Sequence, residues 1–275
     1  MDFLTGGSMK ASELFTVEGL HAVITGGARG IGHAFATALA DNGAAVTLID
    51  RDASALGAAV AALRSHGADV RGTAVDLRDR NALRRAFQEI VAERGRLDIV
   101  FANAGITAGP GFLRPDGERD PQGAIENIPP DLWDDVVAVN LTGAFATMQE
   151  AARHMKRVRA GRIIVTASVA AHKTSPMVGT PYLATKAALA HVVRQAALEL
   201  ASYNVLVNAI LPGPFLTDMT TPEIEEGFRR ASPMKRAAAL NEMQGLALFL
   251  ASPASSFVTG AQYVIDGGTL LGRAD

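Results

Sequence analysis

Short apolar runs of strand length alternate along the chain with segments whose apolar residues recur at helical spacing. The runs fall at residues 20–25, 45–50, 70–75, 97–102, 162–167, 205–210 and 262–265. After the first run, Ile31, Phe35, Ala38 and Leu39 repeat at i, i+4, i+7 and i+8, the stripe of a helix buried on one side, and Asp41-Asn42-Gly43 ends it. Leu83, Phe87, Ile90 and Val91 mark a further helix between the third and fourth runs. Strands alternating with helices predict an α/β fold: a doubly wound parallel seven-stranded sheet with helices on both faces and ligands outside the strand carboxyl ends. Two segments interrupt this rhythm. Residues 106–130 are rich in Gly, Pro and charge and too long for an ordinary connection, and residues 212–239 open with Pro-Gly-Pro before a charged, helical stretch. Excursions of this kind usually act as lids or binding loops. Residues 1–14 read as an N-terminal extension without order.

Composition narrows the chemistry. The 275 residues contain no Cys, which excludes thiolate catalysis, Fe–S clusters and Cys-ligated zinc. Basic and acidic residues leave a net charge of −2, against a surface built for nucleic acid or an anionic membrane. A small-molecule partner is expected. Six His without H-E-x-x-H or a neighbouring carboxylate cluster predict no metal site. The first residues lack a basic region followed by an apolar run, so a cytoplasmic location is expected.

The first strand leads into Thr25-Gly26-Gly27-Ala28-Arg29-Gly30-Ile31-Gly32, which opens a helix. Glycines let the backbone turn sharply and approach a pyrophosphate, and the helix N-terminus presents unpaired N–H groups and partial positive charge to it. Asp50 closes the second strand, where a carboxylate can accept from the adenosine ribose hydroxyls. Tyr182-Leu-Ala-Thr-Lys186 places a phenol and an ammonium one helical turn apart. An ammonium about 5 Å from a phenolate contributes on the order of 3 kcal/mol at an effective dielectric of 20, bringing a pKa near 10 toward working range. Ser168, 14 residues before Tyr182 and just after the fifth strand, is placed for its hydroxyl and the phenol to converge on one substrate oxygen.

The ordered set of motifs resembles the short-chain dehydrogenase/reductase family, in its single-domain Tyr-x-x-x-Lys subgroup, over residues 15–268. The resemblance implies one NAD(P)-binding Rossmann-like domain over residues 15–275. In it, Tyr182 exchanges the proton of an alcohol or ketone, Ser168 hydrogen-bonds the same oxygen, Lys186 lowers the phenol pKa and holds the nicotinamide ribose, and the backbone of Asn140 anchors a water leading to solvent. It implies cofactor contacts from Gly26, Arg29, Gly30, Ile31, Gly32, Asp50 and Arg51. It implies others from Asp76 and Leu77 at the adenine, from Asn103, Ala104 and Gly105 beside the cofactor, and from Pro212, Gly213, Phe215 and Thr217 near the nicotinamide. Asp266-Gly267-Gly268 resembles the family's ending.

A carboxylate about 4 Å from a 2′-phosphate would repel it by roughly 4 kcal/mol per unit charge, so Asp50 favours NAD over NADP. Arg29 and Arg51 are bases that could reach such a phosphate. The expected activity is NAD-dependent interconversion of a secondary alcohol and a ketone. Alternatives are an NADP-dependent carbonyl reductase, a carbon–carbon double-bond reductase, and a catalytically silent NAD-binding regulator. Met177, Val178, Phe215, Leu216 and Met219 suggest an apolar substrate wall. His172 and Lys173 read as a solvated pair or substrate contacts, and Trp133 as a core or interface anchor. The resemblance also implies a homotetramer built on the long helices near residues 132–156 and 182–203.

Overall fold

The computed structural model of the chain describes residues 9–272 apart from 218, 219 and 221. Its strands are β1 (His21–Thr25), β2 (Ala45–Asp50), β3 (Val70–Ala74), β4 (Ile99–Ala102), β5 (Gly161–Thr166), β6 (Val205–Pro212) and β7 (Gln262–Ile265). The α-helices are α1 (Ala11–Leu14), α2 (Gly30–Asp41), α3 (Ala53–Ser65), α4 (Arg80–Arg94), α5 (Pro130–Val136), α6 (Ala144–Val158), α7 (Thr180–Leu200), α8 (Pro222–Ala231) and α9 (Gln244–Ala251). The N-terminal expectation needs correcting in part: residues 11–14 form α1, where the Lys10 N–H donates to the Glu13 carboxylate at 2.9 Å. Residues 1–8 lie outside the described residues.

All seven strands run parallel in the order β3-β2-β1-β4-β5-β6-β7. Ile24 of β1 lies opposite Leu48 of β2 on one side and Phe101 of β4 on the other. The chain moves outward to β3 and returns to β4 across β1, so connections diverge between β1 and β4 and open a crevice at their carboxyl ends. β1 and β4 are buried along their whole length, as continuous apolar runs covered on both faces require. One core cluster lies beneath α4, α6 and α7, with Phe87, Met155 and Val193; the other, beneath α2, α3 and α9, holds Phe35 against Phe101 with ring centroids 4.5 Å apart. Each such fully buried side chain contributes roughly 1.5–3 kcal/mol of transfer free energy. Asp52 and Asp79 cap α3 and α4 by accepting backbone N–H bonds of their first turns.

Two local features bear on the site. Residues Val137–Gly143 join α5 to α6 as a π-helical segment, a feature concentrated at functional sites. The excursion over residues 106–130 folds back on itself: the Arg114 N–H donates to the Glu118 carbonyl at 2.9 Å, and the Asp120 N–H to that of Phe112 at 3.0 Å. Leu113 N–H donates to Pro176 O at 2.9 Å, joining this hairpin to the loop before α7. Glycine makes the approach possible, because a Cβ on Gly111 would lie 2.2 Å from Pro176 O and one on Gly179 2.2 Å from Ala108 O. Among the described residues, no helix is long and apolar enough to cross a membrane, and no group of three or more His, Cys, Asp or Glu is placed to hold a metal.

Candidate active site

The crevice begins at the turn after β1. Gly26 and Gly30 have φ of +65° and +55°, in the left-handed region that favours glycine. A Cβ on Gly26 would lie 2.7 Å from Ala104 Cα, and one on Gly32 would lie 2.1 Å from Gly26 O and 2.5 Å from Asn103 Nδ2. The turn is therefore pressed against the segment after β4, and the first turn of α2, without a side-chain cap from Arg29, opens beside it. Thr217, at the base of the 212–239 excursion, lies 3.9 Å from where a Gly30 Cβ would stand, so this excursion borders the same turn. Ile31 is half-buried against the apolar core beneath α2.

A polar relay ties the strand ends together. Asn103 Nδ2 donates to the carbonyls of Thr25 and Gly26 at 3.1 and 3.2 Å, and its Oδ1 accepts from the Thr166 hydroxyl at 2.9 Å. Thr25 Oγ1 accepts from the N–H groups of Asn103 and Ala104 at 3.1 and 3.3 Å. Lys186 Nζ donates to Thr166 O at 2.8 Å. Asn140, fully buried in the π-helical segment, accepts from Ile106 N–H at 2.7 Å and donates to Ile106 O at 2.9 Å. Gly105 leaves room between Asn140 and Lys186: a Cβ there would stand 3.4 Å from Asn140 Oδ1 and 3.8 Å from Lys186 Nζ. Sequence reasoning did not single out Thr25 or Thr166, although a threonine closing each of two apolar strands was the available signal.

Ser168, Tyr182 and Lys186 converge at this edge. Lys186 Nζ stands 5.5 Å from the centroid of the Tyr182 ring and is 3% exposed. Burial alone pushes the ammonium down to about 8. Burial pushes the phenol up, and the neighbouring Ser168 side chain opposes that rise. Ser168 Oγ accepts from Ala170 N–H at 3.1 Å, which leaves its own hydrogen for another acceptor.

Other predicted positions differ in what they offer. Asp50 accepts from Ala28 N–H at 3.2 Å and from Asp52 N–H at 3.1 Å, while Arg29 pairs with Asp52 at 2.6 Å and leaves its side chain 61% exposed. Arg51 is exposed beside them. Arg78 grips the Asp76 carboxylate, with Nη2 at 2.7 Å, and reaches Asp135 at 2.9 Å, holding the Asp76 carboxyl below the usual range. The Leu77 and Phe215 side chains are buried in the two core clusters, so Phe215 is packing and not an open wall. Pro212 ends β6, and Gly213 N–H donates to Ile265 O at 2.9 Å, seating this turn on Asp266. Leu216 is half-buried and Met177 exposed; Met219 lies outside the described residues. Trp133 is an exposed residue of α5. His172 and Lys173 are not a free solvated pair: His172 contacts Gln262, and Lys173 Nζ donates to Thr269 O at 3.2 Å.

Residues 26–269 match the protein family described as enoyl-(acyl carrier protein) reductase. The chain is 34% identical to a sorbose reductase of Schizosaccharomyces pombe, over 94% of this chain and 98% of that one. It superposes with a TM-score of 0.85 on a short-chain type dehydrogenase/reductase from Mycobacterium marinum, at 32% identity over 94% and 98% of the two chains. The chain belongs to the short-chain dehydrogenase/reductase family. As a short-chain dehydrogenase/reductase it is an NAD(P)-dependent oxidoreductase acting on a carbonyl or alcohol group.

A third relative corrects the expected preference of this short-chain dehydrogenase/reductase for NAD. A gluconate 5-dehydrogenase from Burkholderia cenocepacia, 31% identical over 95% of this chain and 99% of that one with a TM-score of 0.85, was solved in complex with NADP and tartrate. The repulsion expected from Asp50 assumed a carboxylate aimed at the ribose. Here one of its oxygens braces Ala28 in the turn and the other braces Asp52 after β2, and two arginines stand alongside.

Proposed function

We propose that the protein uses NADP(H) to interconvert a secondary alcohol and a ketone, on a polyhydroxylated substrate of the ketose or keto-acid class. The observation that carries this is the convergence of Ser168, Tyr182 and Lys186 beside the glycine turn. The turn fits a dinucleotide: a Cβ on Gly26 or Gly32 would collide with the walls, and the first turn of α2 has no side-chain cap. Gly26, Gly30, Ile31 and Gly32 would hold the pyrophosphate, with Asn103, Ala104 and Gly105 beside it and Pro212, Gly213 and Thr217 at the nicotinamide end. Arg29 and Arg51 supply positive charge for a 2′-phosphate, and Asp50 braces the loop that carries them. When bound, the nicotinamide supplies the hydride.

In the reducing direction Tyr182 donates its hydroxyl proton to the substrate carbonyl oxygen, and the Ser168 hydroxyl hydrogen-bonds the same oxygen. In oxidation the phenolate takes that proton back. Lys186, as an ammonium, favours the phenolate against the burial that opposes it. Asn140 fixes the segment after β4 through Ile106 and so shapes the floor under Lys186. The sorbose reductase and gluconate 5-dehydrogenase support a hydroxylated ketone or alcohol as substrate. Residues 106–130 and 212–239 enclose it, and residues 15–275 act as one catalytic unit. Exposed Trp133, Phe145 and Leu198 on α5, α6 and α7 support assembly of copies, which we take as a homotetramer.

The test is reduction of a panel of ketoses, keto acids and simple ketones with NADPH and with NADH, followed at the reduced-nicotinamide absorbance. Turnover with NADPH is expected, with kcat lowered about 10²-fold or more in Tyr182→Phe. Near wild-type turnover in that variant, or reduction of enoyl substrates with ketones untouched, overturns the reading.

A further inference from the structure

Ser168 and Tyr182 belong to different elements, joined by a loop whose residues 172–174 are exposed. Lys186 Nζ on Thr166 O ties α7 to the end of β5, ahead of Ser168, and leaves the loop beyond Ser168 to be held by another contact. One residue from a third element touches both sides. Gln262, the first residue of β7, lies 2.8 Å through Oε1 from His172 Nε2, and its Nε2 donates to Ala190 O at 2.7 Å. His172 lies four residues beyond Ser168, directly after the short 3-10 turn of Val169–Ala171, and Ala190 lies four residues beyond Lys186 in α7.

The polarity of the bridge follows from its ends. Ala190 O can only accept, so the amide NH₂ faces α7 and the amide oxygen faces the histidine, whose Nε2 must carry a hydrogen. The imidazole Nε2–H supplies that hydrogen. Lys173 Nζ on Thr269 O ties the same loop to the segment after β7 a second time. An amide is needed at position 262, because a donor and an acceptor must leave one planar group in opposite directions.

We infer that Gln262 is a positioning residue for the reaction, clamping the loop that carries Ser168 to the helix that carries Tyr182 and Lys186. The inference rests on the proposed roles of those three residues. Ser168 is the group that opposes the upward push of burial on the phenol, so a loosened clamp weakens that opposition. Alcohol oxidation, which needs the phenolate, then requires a higher pH, while substrate affinity is untouched.

The experiment uses the full chain with NADP(H) and the best substrate of the panel, in Gln262→Met, Gln262→Glu, His172→Ala and the double variant His172→Ala/Gln262→Met. Gln262→Met removes both hydrogen bonds of the bridge and is expected to lower kcat about three- to tenfold, with KM within about twofold. The alkaline rise of kcat for oxidation is expected to move to higher pH. Gln262→Glu keeps an acceptor for His172 but loses the donor to Ala190 and should match Gln262→Met. His172→Ala should lower kcat in the same way, and the double variant should be no slower than Gln262→Met, because both remove one bridge. An unchanged kcat and pH profile in Gln262→Met, or losses that multiply in the double variant, overturns the inference. Tyr182→Phe is measured in parallel: its inactivity alongside a wild-type Gln262→Met rejects only the clamp, whereas an active Tyr182→Phe rejects the catalytic reading itself.

Discussion

Lys186 is a costly side chain to bury in the candidate site, and its cost can be measured. It is 3% exposed, its ammonium donates one hydrogen bond, to Thr166 O at 2.8 Å, and burial brings it from 10.5 to about 8. At about 1.4 kcal/mol per unit, the folded chain holds the charged form at a cost of about 3 kcal/mol below pH 8. Lys186→Met keeps the length and apolar stem of the side chain, removes the charge and loses a hydrogen bond worth about 1 kcal/mol, for a net gain of about 2 kcal/mol. At roughly 2–4 °C per kcal/mol for a chain of this size, Tm should rise by about 4–8 °C at pH 7. The sign with pH follows from proton counts. Between pH 8 and 10.5 the unfolded chain binds more protons at this lysine than the folded one, so the wild type gains stability as pH rises and the advantage of Lys186→Met shrinks. The comparison stops at pH 10, because the raised phenol of Tyr182 begins to act in the opposite direction above it. Thermal melts of both proteins at pH 7, 8, 9 and 10, with kcat measured alongside, check this. The variant should be more stable and about 10²-fold or more slower. A lower Tm at pH 7, or an advantage that does not diminish by pH 10, would refute the assignment of this cost to Lys186.

Arg29→Ala should lower kcat/KM for NADPH about tenfold or more, one charge-assisted hydrogen bond, and leave that for NADH within about twofold; equal losses with both cofactors would mean that Arg29 serves only to brace Asp52. Gly32→Ala drives a Cβ toward Gly26 O and Asn103 Nδ2 and should cost about 1–3 kcal/mol in thermal melts. The same variant should weaken NADPH binding more than tenfold by fluorescence titration, and an unchanged affinity would show that the turn does not form the cradle.

The sheet was legible because its signals are local and strong. The second and seventh strands occupy residues 45–50 and 262–265 as the apolar runs predict, while the fourth starts at Ile99 where 97 was expected, since Leu97 packs into the core ahead of the ladder. The sixth runs on to Pro212, which a parallel pairing tolerates with Ile265 as its neighbour. What periodicity could not show are contacts set by the third dimension. Asp50 and Asp76 look alike in sequence, as acids after strands, yet backbone N–H groups occupy one and Arg78 the other. Phe215 follows Pro-Gly-Pro and reads as a lid residue, but Leu216 N–H and Ala238 N–H form a small ladder at the base of the excursion that turns Phe215 into the core. The π-helical turn around Asn140 carries no local composition that distinguishes it from the α-helices on either side, and the Gln262 bridge joins residues 72 and 90 positions apart.

The close glycine contacts between the hairpin and the loop before α7 bear on how the proposed substrate wall could change. Gly123 would place a Cβ 2.0 Å from Gly111 O, and Gly111 one 2.2 Å from Pro176 O, so three stretches of main chain are stacked without side chains between them. Such a stack cannot be remodelled one piece at a time: a replacement for either segment must bring a partner backbone of matching contour. Diversification of this proposed substrate wall, in the laboratory or in a lineage, is therefore expected to proceed by exchange of residues 106–130 and 174–179 together, as a single transplantable cassette, with His172 and Lys173 kept so that the candidate catalytic edge beneath it stays as it is.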